Sequence, residues 1–419
     1  MIRHILKIIW NERRTNAWLM LEYILVFCIL WFCCDFLYTT ARSYLEPTGF
    51  DIEHTYRITM GRKTGDAAVE LPQELDELTM AHTLRERLEH YPGIEAVGFS
   101  RQAVPHVLGW NQSGYRVNAD SINTQVRVRT INPGFLDVFR IPVLRGQVAD
   151  WPDDSKKDDW LIYPDRAGML GDHPVGEVRT FRLGTNDGVP FYATAVGYTP
   201  PLKANYFAPY DAGIFTPLQT KDFKATNEIS IRVRPEADHD FPEKFRKDMT
   251  EQLQIGNYYV ASITPLTQMA KDAAYNDGQS GKVNSVFAIT AFLIINIFLG
   301  ILGSFWFRTQ SRRSEIGLRL ALGASKKKVK ALLLGETLLL LSVASIIGTL
   351  ISLHISTTDL ISDLGIPYTD REAMGIGMEQ NGINFGLTFA FLALVSLIAV
   401  WYPARQASKT QPAEALHEE

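Results

Sequence analysis

The chain has 419 residues and a formal charge of -4, a balance that argues against a nucleic-acid partner. Mean hydropathy is -0.04, an average that would suit a soluble protein, but the apolar residues are bunched. The three cysteines, Cys28, Cys33 and Cys34, fall inside one apolar run, so no disulfide framework is available elsewhere.

In chain order, residues 1–17 come first. Ile2, Ile5, Leu6, Ile9 and Trp10 fall on one side of a helical wheel and Arg3, Lys7, Asn11 and Arg14 on the other. This predicts a cytoplasmic amphipathic helix on the inner leaflet or against a partner. Trp18–Tyr38 is long enough to cross a bilayer core of ~30 Å. It exceeds a signal-peptide core and lacks a small-x-small cleavage site, so it is expected to stay as an anchor. Pro47 should end that helix.

Residues 42–282 form a large polar region that mixes element types. His54–Met60 and Gln125–Ile131 alternate as half-buried strands do, whereas Thr79–Tyr91 and Phe241–Leu253 carry helical spacing. The region is long enough for an α+β domain with two subdomains, the inserted one at about 150–220, and Trp151–Lys157 is a candidate seam. It holds no GxSxG, HExxH or CxxC pattern. His82 and His90 lack a ligand set, and the run Asp153, Asp154, Asp158, Asp159 is broken by lysines, unlike a calcium loop. No catalytic or metal residues are assigned.

Three further apolar runs follow: Val283–Phe307, Leu332–Leu353 and Ile383–Tyr402. The predicted fold class is therefore a membrane protein, with four transmembrane helices and an extracytoplasmic α+β domain between the first two. Span limits are 18–38, 283–307, 332–353 and 383–402. Between the second and third spans, residues 308–331 carry eight bases against Glu315 alone, while residues 354–382 carry five acids against Arg371. Residues 42–282 hold 27 bases and 33 acids, a net of -6. Bases accumulate on the cytoplasmic side. Both termini, Ser325 and the tail 403–419 are thus expected inside, and Trp151 and Asp370 outside. Glu22 and Glu336 lie about one turn into their spans. Both are expected to face protein in one cytoplasmic-side cluster, Glu336 bonded to a neighbouring backbone or hydroxyl.

The basic loop raises its own question. From Ile316, a helical wheel puts Leu320 and Ala324 on one face and Leu318 and Leu322 nearly opposite, with Glu315 four residues before Arg319. Gly323 suits the left-handed position that ends such a helix, and Ser325 can cap the next. One apolar face can rest on membrane helices and the other is free for a cytosolic partner.

Arg313-Ser-Glu-Ile-Gly-Leu-Arg-Leu-Ala-Leu-Gly-Ala-Ser325 resembles the R-x-E-I-G-[IL]-R-x-A-[LM]-G-A-[ST] segment of MacB/FtsX/LolC-type ABC transporter permeases. Pro403-Ala-Arg-Gln-Ala-Ser-Lys-Thr-Gln-Pro-Ala-Glu-Ala-Leu416 is similar to the family's closing motif. Thr130–Gly146, Gly171–Gly176 and Ala195–Tyr198 resemble stretches of its periplasmic core. The resemblance implies that residues 308–331 hold a coupling helix seated in a cytoplasmic ABC ATPase dimer. Arg313, Glu315, Ile316, Gly317, Arg319, Leu320, Gly323 and Ala324 would carry the contact, with Ile316, Leu320 and Ala324 as the seated face. It implies a mechanotransmission permease of the bacterial inner membrane, driving efflux of a periplasmic cargo or lipoprotein release. A second permease copy or a sister permease, a periplasmic adaptor, an outer-membrane channel and membrane lipids are the further partners it implies. No G-x-x-x-x-G-K-[ST] occurs, so this chain is expected to bind no cofactor and to be no enzyme, with ATP and Mg used by the partner ATPase. Two alternatives stay open: an FtsX-like regulator that activates a cell-wall hydrolase, and, less favoured for want of a cytoplasmic signalling domain, a receptor.

Overall fold

The computed structural model describes residues 13–70, 72, 75–107, 111–116, 124–148, 159–164, 175–176, 178–183, 190–219, 222–356 and 378–409. The expected helix at 1–17, the seam at Trp151–Lys157, the acidic run at 153–158, most of the loop 354–382 and the tail beyond 409 lie largely or wholly outside them. Contacts divide the chain into two compact units, one made of the apolar helices and one centred on Ser43–Gln279.

The first unit contains α1 (Arg13–Leu45) up to Arg42, the last turn from Ser43 belonging to the second unit, and, from the second half of the chain, α6 to α9, whose ranges are given below. The second unit runs β1 (Thr55–Arg62), α2 (Glu77–Glu89), β2 (Ile94–Arg101), β3 (Asn111–Arg116), β4 (Thr124–Ile131) and α3 (Pro133–Val138). It continues with β5 (Arg145–Gly146), β6 (Asp159–Tyr163), β7 (Val178–Leu183), β8 (Pro190–Tyr198), β9 (Leu202–Lys203), β10 (Tyr210–Asp211) and β11 (Gly213–Pro217). It closes with β12 (Glu228–Val233), α4 (Phe241–Met249), β13 (Tyr258–Pro265) and α5 (Leu266–Asn276).

The strand order β2-β12-β1-β13, antiparallel throughout, with α2 joining β1 to β2 and α4 joining β12 to β13, is a split βαβ layer. The alternation that predicts β1 has a physical source. Tyr56 and Ile58 point into a core with Leu84, Leu88, Phe241 and Phe245 from the two covering helices. On the other face α3 lies close over β2. A Cβ at Gly98 would stand 2.7 Å from the Phe135 Cα, so only glycine admits the helix there.

Everything between β2 and β12, Gln102 to Asn227, is inserted into this layer, so the insertion begins well before the position near 150 expected from turn-rich sequence. Within it β4, β3, β7, β8, β6 and β11 pair in a ring that closes when β11 meets β4 in parallel register, Gly213 opposite Arg127. Val126, Trp160, Ile162, Ala193, Ala195 and Ile214 pack together as its core. A closed ring leaves its own strands no open edge, where an edge invites aggregation.

One buried histidine belongs to this insertion. Both ring nitrogens of His106 lack a hydrogen-bond partner among the described residues. Burial, helped by the Arg129 guanidinium, holds its pKa down at about 4. An unfolded chain takes up this proton below about pH 6.5. The stability supplied by the neutral ring is complete above that value and falls as pH drops toward about 4, by up to about 3 kcal/mol. His106→Asn tolerates the left-handed backbone at this position (φ 60°) and cannot titrate in this range. Between about pH 7 and about pH 4.5 the variant is expected to lose less melting temperature than the parent.

Candidate coupling segment and its buried ion cluster

Among the described residues, four helices are long and apolar enough to cross a membrane: Asn16–Leu45, Gln279–Ser311, Lys326–Ile355 and Asn381–Ala407. They correspond to α1, α6 (Gln279–Ser311), α8 (Lys326–Ser356) and α9 (Met378–Ala407). Each outruns its apolar stretch by a turn or more, because the flanking polar residues continue the helix at the level where headgroups and water accept them.

Between α6 and α8 stands a short helix, α7 (Arg313–Ala321), separated from α6 by Arg312 alone. It ends where Gly323 takes φ 90°, a conformation that favours glycine. The Ser325 Oγ then accepts the Lys328 N–H at 3.3 Å and caps α8. Glu315 and Arg319 form the i,i+4 pair that their spacing suggests.

The two apolar faces part differently from the sequence expectation. Ile316 and Gly317 are buried, Ile316 in one cluster with Phe305, Val329, Leu333 and Ala404, and Leu320 packs against that cluster. Leu318 is 49% exposed and Leu322 79%. The Ile316–Leu320 face therefore rests on the helical unit, with Ala324 half-buried. The apolar surface left uncovered is Leu318 and Leu322. A wheel shows that two faces exist and cannot say which one meets the membrane helices.

Beneath α7 lies the most charged interior of the unit. Glu336 of α8 is 1% exposed. Its Oε1 accepts from the Arg308 Nη2 at 2.7 Å and its Oε2 from the Arg312 Nη1 at 3.0 Å. The Arg308 Nη2 also donates to the Asn16 Oδ1 at 2.7 Å. Four side chains thus join α1, α6, α8 and the residue that introduces α7. Glu336 is buried, but its partners are two arginines rather than the backbone or hydroxyl expected. Arg308 and Arg312, counted in the sequence among the bases of the loop, turn into this cluster instead. Glu22 is not bonded into it; its Oε1 lies 2.1 Å from where a Cβ on Gly300 of α6 would stand, so the glycine makes room for it.

A second buried carboxylate escaped the sequence reading. Asp35 of α1 is buried and accepts from the Asn384 Nδ2 of α9. The signal was present: Asp35, like Glu22, is an acid inside the apolar run 18–38, which in a membrane marks a partnered residue. In the other unit His82 and His90 are exposed, His90 bonding only the Glu86 carbonyl of its own helix. No group of three metal-ligating side chains occurs among the described residues.

The model of the FtsX-like permease C-terminal domain matches residues 287–412, the stretch that contains α7, α8, α9 and the ion cluster. Residues 287–412 therefore carry an FtsX-like permease C-terminal domain. Curated relatives include the pyoverdine export ATP-binding/permease protein PvdT of Pseudomonas putida, 22% identical over 55% of this chain and 30% of that protein. The macrolide export ATP-binding/permease protein MacB of Bdellovibrio bacteriovorus is 29% identical over 32% of this chain and 19% of its own. The ABC transporter permease YtrF of Bacillus subtilis is 27% identical over 47% and 44%. The chain thus spans less than half the length of these relatives. Among solved structures, the periplasmic region of MacB from Actinobacillus actinomycetemcomitans is similar at 14% identity and TM-score 0.31, covering 55% of this chain and 96% of that one. The extracellular domain of YknZ from Gram-positive bacteria is similar at 15% identity and TM-score 0.31, covering 50% and 100%. The matched stretch covers α7, α8, α9 and most of α6 but not α1, and the α+β unit lies outside it.

Proposed function

We propose that this chain is an FtsX-like permease and the membrane subunit of an ATP-driven ABC exporter. It takes its energy from a separate cytoplasmic ATPase and moves its α+β domain to act on cargo on the far side of the membrane. The observation that carries this reading is the build of α7. One face is fixed to the helical unit through Ile316, and the residue before it is held by Glu336. The opposite face presents two leucines flanked by Arg319 and the lysines 326–328. An isolated pair of exposed leucines on a basic loop fits a partner groove, and a helix fixed on one side transmits a push without absorbing it. In this arrangement Leu318 and Leu322 make the apolar contact, Arg313, Glu315 and Arg319 surround it, and Gly323 sets the turn into α8. Ile316, Leu320 and Ala324, expected from the sequence as the seated face, serve together with Gly317 as the inner side that holds α7 in place. ATP and Mg belong to the partner, and the chain works as a dimer with a second copy or a sister permease.

The topology that goes with this reading has both termini and α7 in the cytoplasm and the α+β unit outside. Glu86 and Lys327 are exposed in the structure and serve as reporters in place of Trp151 and Asp370, which lie outside the described residues. In a cysteine-free background, a cysteine at 86 is expected to react with an impermeant maleimide on intact cells or spheroplasts. One at 327 should react only after the membrane is opened. The reverse pattern would overturn the orientation. Transport itself is tested by following cargo in cells that lack the permease; activation of a cell-wall hydrolase with no change in export would favour the regulator instead.

A further inference from the structure

The last turn of α1 leaves a large apolar surface open, with Tyr44 53% exposed and Leu45 80% exposed. Tyr38 closes the apolar run, and six residues of helix carry Tyr44 roughly 9 Å beyond it along the axis. Each headgroup layer adds about 5–7 Å to a ~30 Å hydrocarbon core, so Tyr44 and Leu45 emerge at its outer margin.

The loop between β9 and β10 is fastened to this turn. The Ser43 Oγ donates to the Tyr206 carbonyl at 3.1 Å, and the Lys203 Nζ donates to the Ser43 carbonyl at 2.5 Å and to the Tyr206 carbonyl at 3.0 Å. The Tyr210 hydroxyl donates to the Pro47 carbonyl at 2.8 Å. The Asn205 Oδ1 accepts from the Phe207 and Ala208 N–H groups at 2.9 and 2.8 Å, which fixes the turn. The Tyr44 ring then stands 5.2 Å from that of Tyr206 and 5.7 Å from that of Phe207. The loop Asn205-Tyr-Phe-Ala-Pro-Tyr210 holds three aromatics and no charge, and every residue in it is half-buried rather than covered.

We propose that Tyr44, Leu45, Tyr206, Phe207 and Tyr210 form an aromatic platform that seats this loop in the outer headgroup layer of the membrane that α1 crosses. Tyrosine suits that zone because its ring is apolar and its hydroxyl wet. The surface is continuous with a membrane helix and its five side chains carry no charge, which favours lipid as the occupant. The inference rests on α1 crossing the membrane, part of the proposed function, and the test separates the two.

The full chain, with Cys28, Cys33 and Cys34 replaced by alanine, is placed in nanodiscs of phosphatidylethanolamine and phosphatidylglycerol. Tyr44→Cys, Phe207→Cys and Tyr210→Cys are labelled singly with a fluorophore, and only variants that melt like the parent are compared. Lipid carrying a nitroxide on its headgroup is expected to remove about half of the emission at all three positions. No quenching at 44 would overturn the crossing and the platform together. Quenching at 44 with none at 207 or 210 would overturn the platform alone. Shielding of 207 and 210 from both headgroup nitroxide and aqueous iodide would show that protein covers the patch, which also overturns it.

Discussion

Glu336→Leu is expected to destabilise the helical unit by about 3 kcal/mol or more, because it leaves the Arg308 and Arg312 guanidinium groups without their carboxylate in a buried site. The cost comes from stranding charge. An ion pair taken out of water gains little net over well-packed apolar side chains of similar volume. The combined variant Arg308→Met, Arg312→Met, Glu336→Leu should therefore recover most of the melting temperature in nanodiscs. What it should not recover is coupling. Arg312 is the single residue between α6 and α7, and Glu336 holds it at 3.0 Å. Without that bond the hold on the residue that introduces α7 is loosened, and the packing of Ile316 and its neighbours carries more of the load. Melting is thus restored while stimulation of the partner ATPase stays low. A combined variant that melts normally and couples normally would reduce the cluster to a packing device.

The same cluster shows what a sequence does and does not reveal. Burial of Glu336 follows from hydropathy alone, since a carboxylate one turn into a span is costly against lipid. Its partners do not follow, because charge counting adds Arg308 and Arg312 to the cytoplasmic loop without regard to where their side chains turn. Gly323 and Ser325 are legible for a local reason: a left-handed turn and a helix cap depend on two or three adjacent residues. The strands β1 and β4 are legible by alternation. The ring of six strands is not, because its closure depends on Gly213 finding Arg127 across 86 positions of sequence with no local mark at either end. Asp35 was overlooked for a simpler reason: an average over a window absorbs the two acids, Glu22 and Asp35, among the apolar residues of the run 18–38.

Aspartate at position 318 or 322 should release the ATPase while leaving the chain folded in the membrane. Both leucines are exposed, so neither substitution disturbs the interior, yet each would carry an unpaired charge into a desolvated contact. Such burial costs several kcal/mol, enough to weaken binding by roughly a hundredfold or more. Ile316→Asp should behave differently. That side chain is packed among Phe305, Val329, Leu333 and Ala404, so the charge strikes the fold first and the variant should melt early or fail to accumulate. Leu320→Asp, on the same half-covered side, should fall between the two. Lys327→Ala should do little, because one lysine near an anionic surface contributes only about 1 kcal/mol. Copurification of a tagged ABC ATPase, read together with a melting curve for each variant, separates the outcomes. Loss of partner with an unchanged melt at 318 and 322 assigns the outer face to the ATPase. Retention of the partner by both would leave α7 an interfacial helix whose leucines face lipid, and the energy input would have to enter elsewhere.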